Sequence, residues 1–183
     1  MTQIRRAGRS DASEMAAMRY AFRTELAEPN EPEQEFKARA TAWFQDRLTA
    51  GSWTAWLAHH PEPEQQYEQD RPVGLVLVQL IEKVPNPVVE PETLGYISCL
   101  YVRPPWRGRG IGDQLLGTAV AFCRDNGVES IVLWPSPRSV PLYERHEFRH
   151  QAEVMELRVA VKSSPALRPA AEPPSLPIPR LSL

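Results

Sequence analysis

Cysteine, glycine and histidine are all scarce: the 183 residues include 2 cysteines, 9 glycines and 4 histidines. Cys99 and Cys123 belong to no CxxC pair, which excludes a disulfide scaffold and a cysteine-based zinc ribbon. Excess charge is also missing. The net charge of −2 provides no general attraction to nucleic acid or anionic lipid, so neither is expected as a partner. No apolar run approaches the roughly 18 residues of a membrane span. Met1–Arg6 leads into acidic residues without a hydrophobic leader core, so a cytoplasmic location away from membranes is expected.

What is present is the composition of one globular domain, 42% hydrophobic and 24% charged. A chain this long buries roughly 70% of its unfolded surface in a single core and needs no metal or disulfide to fold. Proline is over-used, at 19 residues, and 6 of these lie in Ser163–Leu183. That stretch has no periodicity and no aromatic residue, so its burial cannot offset its ordering entropy. The expected organisation is a domain over 1–160 and a flexible Pro-rich tail over 161–183. Pro174-Ser175-Leu176-Pro177 fits PxxP, a match that composition alone supplies.

Within the domain, Asp11-x-x-Glu14 reads as a cap for a helix with an apolar stripe at Met15, Met18, Phe22 and Leu26. Arg19, Arg23 and Glu25 fall on the polar face opposite. Pro29 and Pro32 separate this helix from a second one carrying Phe36, Ala40, Trp43, Phe44 and Leu48, which ends at Gly51. Strands are expected over Trp53–His59, Val73–Lys83 and Leu94–Val102, the last two joined by the turn Val84-Pro85-Asn86-Pro87. A helix over Gly110–Asn126, a strand over Ser130–Trp134, a short helix over Val140–Arg145 and a strand over Glu153–Val161 complete an α+β pattern. Trp53, Trp56 and Trp134 read as core residues, with lining of a pocket as the alternative.

Chemistry concentrates in Arg103-Pro104-Pro105-Trp106-Arg107-Gly108-Arg109-Gly110-Ile111-Gly112. Three glycines between a strand and a helix start allow backbone N–H groups to approach an anion. Arg107 and Arg109 sit at the positive end of a helix dipole, a place that suits them only when an anion is bound. The spacing fits neither GxGxxG nor a Walker A loop, which would need a lysine before Thr118.

Arg107-x-x-Gly110-x-Gly112, following Leu100-Tyr101-Val102, resembles the acyl-CoA signature of the GCN5-related N-acetyltransferases, the GNAT superfamily. Leu142-Tyr143-Glu144-Arg145-His146-Glu147-Phe148 is similar to a second segment of that family, and the element order over residues 1–160 agrees with it. The resemblance implies a GNAT fold, with a mixed, mostly antiparallel twisted sheet of about six to seven strands and about four helices. It implies acetyl-CoA as co-substrate, no metal, and a small-molecule or peptide amine as acceptor; a homodimer is compatible with it.

Residue by residue, the resemblance implies that Leu100, Tyr101 and Val102 pair with the pantetheine arm as a strand would. Gly108, Arg109, Gly110, Ile111 and Gly112, with Arg107, would hold the pyrophosphate. Ser136 and Ser139 stand where the family has asparagine and alanine, and both can hydrogen-bond CoA. Tyr143 would protonate the departing thiolate, since a phenol near pKa 10 holds its proton until a thiolate near 8.5 needs it.

Two departures stand out. Glu147 replaces a glycine and disfavours positive φ, so that turn is expected to be built differently. The strand Leu94–Val102 carries no glutamate as general base; Ser98 and Cys99 occupy its middle, leaving water, Glu25 or Glu28 for that role. In the family the first two helices border the acceptor, so Glu25 could receive an ammonium group. Two other readings remain at this point: an acyl-CoA-binding module without efficient transfer, and a zinc hydrolase using His146-Glu147-Phe148-Arg149-His150 as HExxH on a helix.

Overall fold

A computed structural model describes residues 2–60, 71–151 and 155–157. Contacts divide the chain into Met1–His150 and Gln151–Leu183, and all the elements named below lie in the first of these units. The expected strand over Glu153–Val161 and the tail over 161–183 lie outside the described residues, apart from 155–157, which are not in a strand.

The elements are β1 (Gln3–Arg6), α1 (Ala12–Thr24), α2 (Glu33–Thr49), β2 (Thr54–His59), β3 (Pro72–Glu82), β4 (Thr93–Val102), α3 (Ile111–Asp125), β5 (Ser130–Val132) and α4 (Val140–Arg145). The strands form one sheet in sequence order, β1 to β5. The first four run antiparallel, while β5 joins β4 in parallel. The described sheet has five strands, fewer than the six to seven expected; the four helices agree with expectation.

The two faces of the sheet carry separate cores. One buries Ala55, Leu57, Leu75, Leu77, Cys99 and Tyr101 under Met15 and Met18 of α1 and Phe44 of α2. The other buries Trp56, Val76, Val78 and Ile97 under Ile111, Leu115, Leu116 and Ala119 of α3. These sets alternate along β2 and β3, as the two-residue period of a strand requires. Gly74 lets α3 approach closely, because a Cβ there would stand 2.7 Å from Cδ1 of Leu115 and 3.2 Å from Cγ2 of Ile111. Gly74→Ala is therefore expected to destabilise the protein by about 1–3 kcal/mol through overpacking, measurable as a lower urea midpoint with unchanged m-value.

Three local expectations change. Asp11 does not cap α1 with its side chain; it accepts from the Gly8 N–H at 2.7 Å and pairs with Arg5. Glu14 instead receives Arg103 Nη2 at 2.6 Å, which ties α1 to the end of β4. Leu26 lies beyond the helix and is exposed. Arg19 and Arg23 do not share a polar face opposite the core. The buried positions of α1 are Ala12, Met15, Ala16 and Met18, and at 100° per residue Arg19 and Arg23 prolong the stripe of Ala12, Met15 and Ala16.

Candidate active site

The site is organised by an irregularity in β4. Leu75 pairs with Tyr101 but Leu77 pairs with Ser98, so Cys99 and Leu100 together oppose Val76. Cys99 takes φ 54°, the mark of a bulge. One extra residue reverses the pleat. Ahead of it, Ile97 faces α3, while Tyr96 packs on Trp53 of the opposite face at 5.8 Å. Beyond it, Cys99 and Tyr101 face α1, while Leu100 and Val102 turn toward α3. Sequence reasoning missed this bulge, because a strand of β-formers carries no mark of one residue too many.

Beside the bulge, β4 parts from its neighbour. Pairing with β5 covers only Leu94–Tyr96, so among the described residues no strand pairs with Ile97–Val102 on that edge. Backbone groups on this edge are open to an extended ligand. The Arg103 N–H donates to Val73 O, and by alternation the groups of Val102 face away from β3 toward the open edge. One of them already has a partner, since Arg107 Nε donates to Val102 O at 2.9 Å.

At the end of β4 the chain makes a helical turn at Pro104–Trp106 and reaches the glycine loop. Gly108 and Gly110 have φ of 76° and 75°, the left-handed region in which glycine is unstrained. A Cβ at Gly108 would meet nothing within 4 Å, and one at Gly110 only Gln114 Nε2 at 4.0 Å. The loop surface is thus open at the N-terminus of the 15-residue α3, where unpaired N–H groups and the helix dipole favour an anion. This donor set fits the pyrophosphate of acetyl-CoA. A Cβ at Gly112 would stand 3.6 Å from Cδ2 of Leu142 in α4 and 3.8 Å from Cγ2 of Val102, so loop, open strand edge and α4 meet there.

The two loop arginines are not alike. Arg109 lies over the Trp106 ring at 4.7 Å. Arg107 turns away from the helix end: Nη2 donates to Glu25 Oε2 at 2.7 Å and to Oε1 at 2.9 Å, with the guanidinium 5.7 Å from the Tyr101 ring centre. Tyr101 OH donates to the same Glu25 at 2.9 Å. Burial, then the bond to Glu25 and its charge, push the Tyr101 phenol up to about 12. Glu25 therefore links the end of α1 to β4 and the loop. Glu28 is exposed, and Ser98 accepts from Tyr96 OH at 3.3 Å.

Tyr143 is half-buried on α4 with its ring edge against Phe148, 5.7 Å between centres. Burial raises its pKa above the ordinary 10, and a hydrogen bond with Ser139 opposes the rise. Ser139 and Ser136 bond each other at 2.9 Å in the turn before α4. Glu147 does adopt the glycine-like conformation, at φ 67°. The turn closes with Glu147 N–H on Glu144 O and Phe148 N–H on Tyr143 O, the left-handed end of a helix rather than a different construction. Glu147→Gly is expected to stabilise the fold by about 1 kcal/mol, the cost of a left-handed non-glycine residue, and to raise Tm by about 2–4 °C.

This geometry removes the basis of the HExxH reading. Helix α4 ends at Arg145, Glu147 is left-handed, and His150 lies in irregular structure. The two histidines thus share no helical face, and His146 Nε2 instead meets Asp113 Oδ1 at 3.1 Å. Of the tryptophans, Trp56 belongs to the core under α3 against Phe122, whereas Trp53 and Trp134 both pack on Tyr96.

A strand that parts from its neighbour beside a glycine loop on a helix N-terminus defines an acyl-CoA-dependent transferase fold. The acetyltransferase (GNAT) family model matches residues 18–148, and the chain belongs to that family, whose members use acetyl-CoA. A GCN5-related N-acetyltransferase from Ralstonia eutropha JMP134 is 25% identical, with TM-score 0.68 over 86% of this chain and 99% of that one. A "predicted acetyltransferase" from Clostridium acetobutylicum, solved with acetyl-CoA, shares the fold at TM-score 0.70 and 23% identity, over 86% of this chain and 96% of that one. A glucosamine 6-phosphate N-acetyltransferase of Trypanosoma brucei brucei is 33% identical over 64 residues, which is 35% of this chain and 44% of that protein. The match therefore spans less than half of that relative. No helix among the described residues is long and apolar enough to cross a membrane.

Proposed function

We propose that the chain, through its domain over residues 1–160, transfers acetyl from acetyl-CoA to a primary amine by direct attack, in the cytoplasm. The observation that carries this reading is the coincidence of an open β4 edge, a glycine loop on a helix N-terminus, and a protonated phenol on the helix that borders both.

When bound, acetyl-CoA supplies a thioester carbonyl carbon open to nucleophiles. Backbone groups of Leu100–Val102 hold the pantetheine amides, and the N–H groups of Gly108–Gly112 hold the pyrophosphate. Ser136 and Ser139, at the turn before α4, add hydrogen bonds to CoA. The bulge at Cys99 frees backbone N–H groups from the β3 ladder, and these stabilise the carbonyl oxygen as it gains charge. The neutral amine nitrogen bonds to the carbonyl carbon and the C–S bond breaks. Tyr143 gives its proton to the leaving sulfur, the new ammonium loses one to water, and the phenol is restored.

Glu25 already accepts from Arg107 and Tyr101, which supports a positioning role over that of general base. Its interaction with Arg107 is half-exposed and contributes modestly to stability; its geometric effect is to hold the end of α1 over β4. Amine deprotonation then runs through water.

This mechanism sets the pH dependence. Tyr143 acts in its protonated form, and its pKa lies above 10. The limb lost by its ionisation therefore falls on the far alkaline side, and kcat/KM rises with pH through the neutral range as the amine becomes a free base. A profile falling between pH 6 and 8 contradicts Tyr143 as the acid. The reading is tested by CoA release over a panel of amines.

A further inference from the structure

We infer that the acceptor is an amine that also bears an anionic group, a phosphate or a carboxylate, and that Arg19 and Arg23 hold that group over the bulge of β4. This rests on the acetyltransferase reading of the same site and names the class of its second substrate.

The placement of the two arginines carries the inference. They stand one helical turn apart on the stripe of α1 that begins with Ala12, Met15 and Ala16, all fully buried. A stripe facing the sheet is where charge is most costly, so arginines there need a polar ligand or open space beneath them. At this point α1 passes beside the bulge, and its stripe reaches the rim of that core. Phe22 packs on Tyr101 at 5.4 Å, and Glu25 binds the Tyr101 hydroxyl. Arg19 lies over the Phe22 ring at 5.7 Å, and the positive charges of Arg19 and Arg23 partly oppose the upward push that burial gives the Cys99 thiol. Both guanidinium groups thus lie near the residue that forms the bulge.

Among the described residues, no carboxylate lies within ion-pair distance of Arg19 or Arg23, so neither charge is neutralised there. The nearby acids are engaged elsewhere, Glu14 by Arg103 and Glu25 by Arg107. Arg23 is exposed and Arg19 half-buried, so both can reach a ligand. Two guanidinium forks without carboxylates, beside the place of acyl transfer, match a planar or tetrahedral oxyanion. On the same face the exposed Trp134, packed edge-on with Tyr96 and through it with Trp53, offers an aromatic surface for the rest of the acceptor. The arrangement also separates the substrate's two ends, since the anion is drawn to α1 while the amine faces β4.

The experiment compares matched amines that differ only in the anion: glucosamine against glucosamine 6-phosphate, and an amino acid against its amide. CoA release gives kcat/KM for each. The anionic member of at least one pair is expected to be preferred by about 10- to 100-fold, the scale of one or two charge-assisted hydrogen-bonded contacts. That preference collapses in Arg19→Gln and Arg23→Gln and is partly kept in Arg19→Lys. The ratio within a pair does not depend on how much of a variant is folded. Equal use of both members, or a preference that survives both glutamine variants, overturns the inference and leaves the acetyltransferase reading intact. Absence of CoA release with every amine overturns that reading instead. Binding of inorganic phosphate, measured calorimetrically with CoA at saturation, then still tests the arginines: saturable binding lost in the double glutamine variant supports them, and no binding overturns them.

Discussion

Tyr143→Phe lowers kcat for acetyl transfer by about 100-fold or more, the usual contribution of a positioned general acid, and leaves acetyl-CoA affinity nearly unchanged. The substitution removes one oxygen from a side chain whose packing is set by its ring, edge-on to Phe148. Ser139, the polar neighbour that moderates its pKa, keeps its bonds to Ser136 when the oxygen is gone. The fold should therefore survive, and thermal unfolding beside the kinetics checks that it does. Since the acid is needed only as sulfur departs, the loss falls on kcat rather than on KM. A leaving group that needs no proton provides the sharper control. With an acetyl ester of a strongly acidic thiol as donor, the difference between the parent protein and Tyr143→Phe should shrink to a few-fold; an undiminished difference would mean that Tyr143 positions rather than protonates.

Gly110→Glu weakens acetyl-CoA binding by about 100-fold, or about 3 kcal/mol. Two effects combine. Gly110 lies at φ 75°, where a residue with a Cβ costs about 1–2 kcal/mol, and a carboxylate at the N-terminus of α3 competes for the donors that receive the pyrophosphate. Steric exclusion is not the cause, because a Cβ at this position has open space around it. Gly110→Ala isolates the backbone term and should cost about tenfold. S-acetylpantetheine, which has no pyrophosphate, should bind parent and Gly110→Glu alike. If Gly110→Glu leaves acetyl-CoA affinity unchanged, the loop does not hold the pyrophosphate.

The sequence made some of this legible and concealed the rest for identifiable reasons. The glycine loop and α3 stood out because glycine spacing and a 3.6-residue apolar period are local signals. The short helix bearing Tyr143 stood out because Pro135, Pro137 and Pro141 mark the passage into it and its first turn. The role of Arg107 did not, because its partner Glu25 lies far away in sequence at the end of another helix, and the ion pair exists only once α1 is docked on β4. The bulge at Cys99 was hidden because both registers of β4 look equally apolar. The chemistry of Arg19 and Arg23 points to a polar face, although Met15-x-x-x-Arg19-x-x-x-Arg23 is a straight helical stripe. The period alone could have placed them toward the sheet, and the conflict between residue type and position was the signal. His146-Glu147-Phe148-Arg149-His150 misled for the opposite reason: its spacing has meaning only on a helix, and the helix ends before it.

Acetyl-CoA-dependent CoA release by the unaltered protein, over a panel of aminosugars, amino acids, polyamines and peptide N-termini, with Tyr143→Phe run in parallel, tests the central claim most directly. Release is expected with at least one amine, nearly abolished in Tyr143→Phe while that variant still binds acetyl-CoA. Tight acetyl-CoA binding without release over the whole panel would contradict the claim, and would make the chain an acyl-CoA-binding module that keeps the fold without the transfer.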